Sequence, residues 1–285
     1  MRPAPPALAA LMFACGSGSL LAQTPSEPHL YLTVLAGYRT GRVLWSLNSQ
    51  PFTVLVAGTP NTDTAVVAGP GQYDTLDIHR EFGPSFVVGV SGTYFSGSHL
   101  GFQGEFAFLG MGVESRCTIR QTQAPYPGDL DPQLCATLDG QTAATSAVSA
   151  SIGIVGRVTA GAGVYPYVRA NAGVLTRTHG TIEMVGQYQS GDHLATAVVV
   201  ADPHSANTAL HVTFGAGVAV SMGTGYQVWF EGRDVLAQLD QVTGSADPSG
   251  ATGALVPPHG SRLLQNFVFA IGLDVVFEKQ RGRRY

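Results

Sequence analysis

From Phe267 to Phe277 the chain alternates without a break: Phe267, Phe269, Ile271, Leu273, Val275 and Phe277 take one face, and Val268, Ala270, Gly272, Asp274 and Val276 the other. A period of two over this length predicts a β-strand whose two faces meet different surroundings. The pattern recurs upstream at 29–39, 84–95, from Leu100 to Phe108, and at 146–159, 164–178, 207–222 and 226–236. One face of each run is large and apolar, as in Leu30, Leu32 and Val34 or Phe102, Phe106 and Phe108. The opposite face is mostly small, polar or charged. The connections alternate too, with long segments at 40–83, 113–145, 179–206 and 237–261, and short ones at 96–99, 160–163 and 223–225.

Eight strands joined in this order predict an all-β fold, a closed up-and-down antiparallel transmembrane barrel with short turns at one rim and long loops at the other. In lipid the large apolar face points outward and the small or polar face lines a narrow interior. Closure pairs the first strand with the last and leaves no sheet edge, which hydrocarbon cannot hydrogen-bond. Ten strands are the alternative if 52–57 and 65–68 also enter the membrane; otherwise these pieces form a hairpin beyond it. A soluble lipocalin-like barrel or a β-sandwich would carry the large apolar residues inside and the charges outside.

Composition supports the membrane reading. Charged residues are 12% of the chain, about half the usual share, and there are 36 glycines. After the N-terminus no apolar run approaches the roughly 18 residues of a helical span. A net charge of -4 without a basic patch gives no sign of a nucleic-acid partner. Residues 1–22 read as a secretory signal; a lipoprotein signal acylated at Cys15 is disfavoured by bulky Phe13 in the lipobox. The barrel then occupies 29–277 and a short basic tail 278–285. Of the cysteines left after cleavage, Cys117 and Cys135 share one polar segment, and an even pair in an exported chain favours a disulfide closing a loop outside the sheet. Two cysteines with no nearby histidine lack the ligands of a metal site, and nothing points to a cofactor.

In layout, and in a terminal strand that ends on aromatic Phe277, the chain resembles the small OmpA-like and OmpX-like eight-stranded outer-membrane barrels. Eight residues follow Phe277, whereas many of those barrels end on the aromatic. The resemblance implies the outer membrane of a Gram-negative-type bacterium, with both termini periplasmic and the long loops extracellular. Its partners would be outer-membrane lipid and lipopolysaccharide, the barrel-assembly machinery acting on Phe267, Phe269, Ile271, Leu273, Val275 and Phe277, and an extracellular ligand that the loops do not name. Aromatics toward the short turns, Tyr94, Phe95, Tyr165, Tyr167, Tyr226 and Phe277, are expected to form an interfacial girdle.

Facing inward are three acids, Glu105, Glu231 and Asp274, and three bases, Arg157, Arg169 and Arg233. An eight-stranded barrel leaves room for little but side chains, so the six are expected to pair as a structural plug, with Gln103, Asn171 and Gln227 completing the hydrogen bonds. A gated ion path lined by the same charges is the alternative. Hydrolysis of the kind known for outer-membrane deacylases and proteases would need a base, an orienting group and a nucleophile or activated water. His211 and His179 are the candidates for that base, but no local signature supports either. The expected function is therefore non-enzymatic: a closed barrel whose large loops serve envelope structure, adhesion or ligand interaction, ahead of a small gated channel and then a hydrolase.

Overall fold

The strands, numbered in chain order, are β1 (His29–Arg39), β2 (Arg42–Thr53), β3 (Leu55–Ala57), β4 (Ala65–Val67), β5 (Tyr73–Phe82), β6 (Ser85–Phe95), β7 (Leu100–Arg120), β8 (Thr142–Arg157), β9 (Val164–Arg177), β10 (Met184–Ser190), β11 (His193–Val200), β12 (Thr208–Ser221), β13 (Tyr226–Val242) and β14 (His259–Glu278), with one helix, α1 (Asp131–Leu138). This computed structural model describes residues 29–57, 65–67, 73–120, 129–158, 163–178, 181–190, 193–202, 207–223, 225–247 and 254–278. The signal sequence, all of the basic tail but Glu278, and His179 lie outside the described residues.

Eight strands close a ring in chain order, β1, β6, β7, β8, β9, β12, β13 and β14, every neighbour antiparallel. The last joins the first along its whole length, from His29 opposite Glu278 to Arg39 opposite Val268. Both ends of the described chain therefore sit at the rim of the short turns. The ten-strand alternative fails because 52–57 and 65–67 do not enter the ring: β3 and β4 form a two-stranded sheet of their own, and Phe52 and Thr53 pair with β5, which meets β7 only from Val113 to Arg120, beyond the ring's long-loop rim. The hairpin expected at 52–57 and 65–68 is present as β3 and β4.

The greasy side of the ring faces outward. Phe267, Phe269 and Ile271 are exposed, Phe269 by 63%, as are Phe86, Phe102, Ile152, Val168, Leu210 and Phe230 around the wall. Phe267 to Phe277 is ten steps, about 34 Å along a strand, which a tilt of about 40° reduces to roughly 26 Å, the height of a membrane barrel's apolar band. Facing water, such a surface would far exceed the apolar patches soluble proteins tolerate.

Two expectations change. The girdle splits: Tyr94, Tyr226 and Phe277 are exposed, whereas Phe95 is buried and Tyr165 and Tyr167 pack against the interior. The inward face is also not polar throughout. On the long-loop side of Glu105 it carries Leu35, Val87, Leu109, Leu175, Leu264 and Val268, all buried. These join one continuous core with Trp45, Phe52, Ile78, Phe82, Leu134 and Val199 of the long connections, which fold into a cap over the ring.

The cap is built on strands that outrun the ring. β7 and β8 stay paired out to Glu114 and Thr142, and β13 and β14 out to Val242 and His259. β2 and β5 add to β7, while β10 and β11 form a separate hairpin. Ties then cross between these pieces. Trp45 Nε1 donates to the Thr181 carbonyl at 3.0 Å, Thr181 Oγ1 donates to the Asp240 carbonyl at 2.6 Å, and the Gln50 amide exchanges two 2.8 Å bonds with the Ala246 backbone. Cys117 and Cys135 are joined in a disulfide. It bonds strand β7 to α1 instead of closing an open loop, because β7 runs on to Arg120.

Candidate functional site

The interior charges come from strands spaced around the ring. β7 supplies Glu105, β9 supplies Arg169, and β13 supplies Glu231 and Arg233, two residues apart and so on the same inward face. Room for them comes from glycine: a Cβ at Gly215 would overlap the Glu231 carboxylate, and one at Gly272 the Trp229 indole.

Four of the six expected charges form a closed quartet. Arg169 reaches Glu105 at 2.9 Å and Glu231 at 2.6 Å; Arg233 reaches the same two carboxylates at 2.8 Å each. All four side chains are at least 91% buried, the most open being Glu105 at 9%. The Nε contacts to Glu231 Oε1 have the distance of an ion pair but not the alignment of a hydrogen bond. Tyr167 Oη donates to Glu231 Oε2 at 2.7 Å, and Gln103 Oε1 accepts from Arg169 at 3.0 Å and from Asn171 at 3.2 Å. Two cations against two anions leave no net charge in a space where an unpaired one is costly.

The other two charges do not pair with each other. Asp274 Oδ1 accepts from Thr33 Oγ1 at 2.7 Å and Trp229 Nε1 at 3.0 Å. Arg157 sits nearer the short-turn rim, donating to Tyr31 Oη at 2.7 Å and the Ser98 carbonyl at 3.1 Å, with its guanidinium 3.8 Å from the centre of the Phe95 ring. Between Arg157 and the quartet lies a cavity of about 50 Å³, which Gln227 helps to line. Arg157 also borders the wider opening at the short-turn rim, so it separates the two spaces. Tyr31, Tyr167 and Trp229 were not anticipated here. Their inward register was legible from the alternation, since Tyr167 lies two residues from Arg169 and Trp229 two from Glu231.

His211 is buried on the inward face, and among the described residues its Nδ1 has no hydrogen-bond partner, so none of their carboxylates orients it through that nitrogen. What the arrangement can do chemically is neutralise and fill: the quartet balances its own charge inside the ring, and buried apolar residues beyond it run on into the cap core.

No protein-family model matches the chain, and no curated protein does. Among solved structures it is similar to Neisserial surface protein A, at 9% identity over 90% of this chain and all of that one, with a TM-score of 0.39. It is also similar to the outer membrane protein AlkL, at 12% identity over 93% of this chain and 97% of that one, with a TM-score of 0.33. The β domain of the Bordetella autotransporter BrkA follows, at 9% identity over 88% of this chain and all of that one, with a TM-score of 0.27. Likenesses of that size carry no argument, and the assignment rests on this chain's own pairing and surface. By its ring of eight antiparallel strands and its outward apolar band, the chain is a small β-barrel of the outer-membrane type.

Proposed function

We propose that the protein is a non-enzymatic outer-membrane barrel, closed along its axis, whose cap stands outside the cell as a surface for envelope interaction, adhesion or ligand contact. The observation that supports this reading is an ion-paired quartet in the lower interior with a mainly apolar packing above it that merges with the cap core. Solute passage would have to break both. The side assignment rests on outer-membrane barrels as a class, which keep short turns in the periplasm and long loops outside. A disulfide in the cap fits an oxidising compartment. The apolar band is then covered by outer-membrane lipid and lipopolysaccharide, and β14 with its outward Phe277 is the segment offered to the assembly machinery.

A cap that interacts must be reachable from outside. Leu194 on β11 is 70% exposed. In intact cells expressing Leu194→Cys, a membrane-impermeant maleimide is expected to label the protein without permeabilisation. Labelling only after the outer membrane is opened would put the cap in the periplasm and remove the surface-interaction reading.

A further inference from the structure

The cap gathers a second group of charges, all of one sign. Asp74 is the second residue of β5, Asp129 bridges Val56 of β3, and Asp131 opens α1. One carboxylate oxygen from each lies within 4.8 Å of the other two. The geometry around Asp131 makes this more than a cluster. Asp131 is 1% exposed; its Oδ1 accepts the Leu55 N–H at 3.1 Å, while its Oδ2, equally shut from water, has no hydrogen-bond donor among the described residues. A buried carboxylate oxygen without a donor is costly, and a cation held among three carboxylates removes both that cost and their mutual repulsion.

We propose that Asp74, Asp129 and Asp131 bind a divalent cation, and that the ion is Ca²⁺. The donors are carboxylate oxygens with no histidine or thiolate among them, which selects a hard cation over zinc or copper. Ca²⁺ accepts irregular sets of six to eight oxygens and lets carbonyls and water complete the shell, whereas Mg²⁺ demands a near-ideal octahedron. The three ligands come from β5, from the segment bridged to β3 and from the start of α1. Asp131 and Leu130 already hold Leu55 of β3, and the helix they begin is fixed at Cys135 to β7. β5 already pairs with β7, Ile78 opposite Cys117; a cation here ties β5 directly to the start of α1 as well, so the cap is clamped by metal at one end of α1 and by a disulfide nearer the other.

The test is isothermal titration of CaCl₂ into the full chain, refolded from inclusion bodies into detergent so that no lipopolysaccharide contributes, and stripped with EDTA. One binding event is expected, half-saturated at about 0.1–1 mM as in extracellular calcium modules, with Mg²⁺ at least about tenfold weaker. Asp131→Asn and Asp129→Asn should each weaken binding at least tenfold, while heat-modifiable gel mobility reports whether each barrel has folded. If Asp131→Asn fails to fold, the wild-type titration and Asp129→Asn decide. Absence of heat up to about 10 mM CaCl₂, well above the range of such modules, would overturn the site. So would binding unchanged in the folded variants, while equal affinity for Mg²⁺ would overturn the choice of ion.

Discussion

Below the level of Glu105 the barrel holds Arg157, Tyr31, Trp229, Asp274 and the quartet; above it, Leu35, Val87, Leu109, Leu264 and Val268 predominate, with Arg39 and Arg177 buried among them. The two halves sit inside one ring, on the same strands and the same inward face, yet the balance of charged and apolar side chains differs between them. The lower half depends on matched charges, so its stability is brittle: removing one member leaves its partners buried and unpaired. At the apolar positions of the upper half stability depends on contact area, so loss is graded with the volume removed. The upper half also continues into the cap, whereas the lower half ends at Arg157.

That contrast predicts where single changes hurt most. Glu231→Ala strips a carboxylate from both Arg169 and Arg233 and should cost about 3–5 kcal/mol in urea unfolding from lipid vesicles. Replacing all four quartet residues by apolar ones of similar volume should cost far less, because no charge is then left over. Leu109→Ala in the upper half should cost about 2–5 kcal/mol, scaled by how far its neighbours relax. Cys117→Ser with Cys135→Ser opens an 18-residue separation, for which chain entropy predicts about 3 kcal/mol. That loss should fall on the cap: protease should cut between β7 and α1 while the strands of the ring stay protected. Arg157→Ala removes the stacking on Phe95 and should cost only about 0.5–2 kcal/mol. It should widen the short-turn opening without creating conductance, since the packing above the quartet is untouched.

The ring was legible in the sequence because each spanning strand separates lipid from interior at every second residue. β2 was not, since its alternation is broken by register shifts at Val43/Trp45 and Leu47/Gln50, and Ser49 takes a positive φ of 52°. β5 alternates cleanly, but half-buried polar residues such as Thr75, Asp77 and His79 occupy its outer face, so no apolar stripe marks it. Alternation also says which face a charge is on but not its height. Glu105 lies opposite Ser151, and Ser151 opposite Gly173, four residues from Arg169. The tilt of the strands closes that gap. Local sequence therefore could not tell that Arg169 meets Glu105 while Arg157 and Asp274 stay apart. The apolar upper half was written in Leu35 and Leu175, which share the inward face with the charges. It passed unnoticed because an interior expected to be polar draws attention to its charged residues.

The closed axis proposed for the barrel meets its most direct test in planar bilayers. Purified protein, inserted and held at voltages of either sign, should show no reproducible unit conductance, and Arg157→Ala should behave the same. Discrete, repeatable current steps from the native protein, lost when Arg169 is replaced by alanine, would mean that the quartet lines an ion path and that the barrel is not closed.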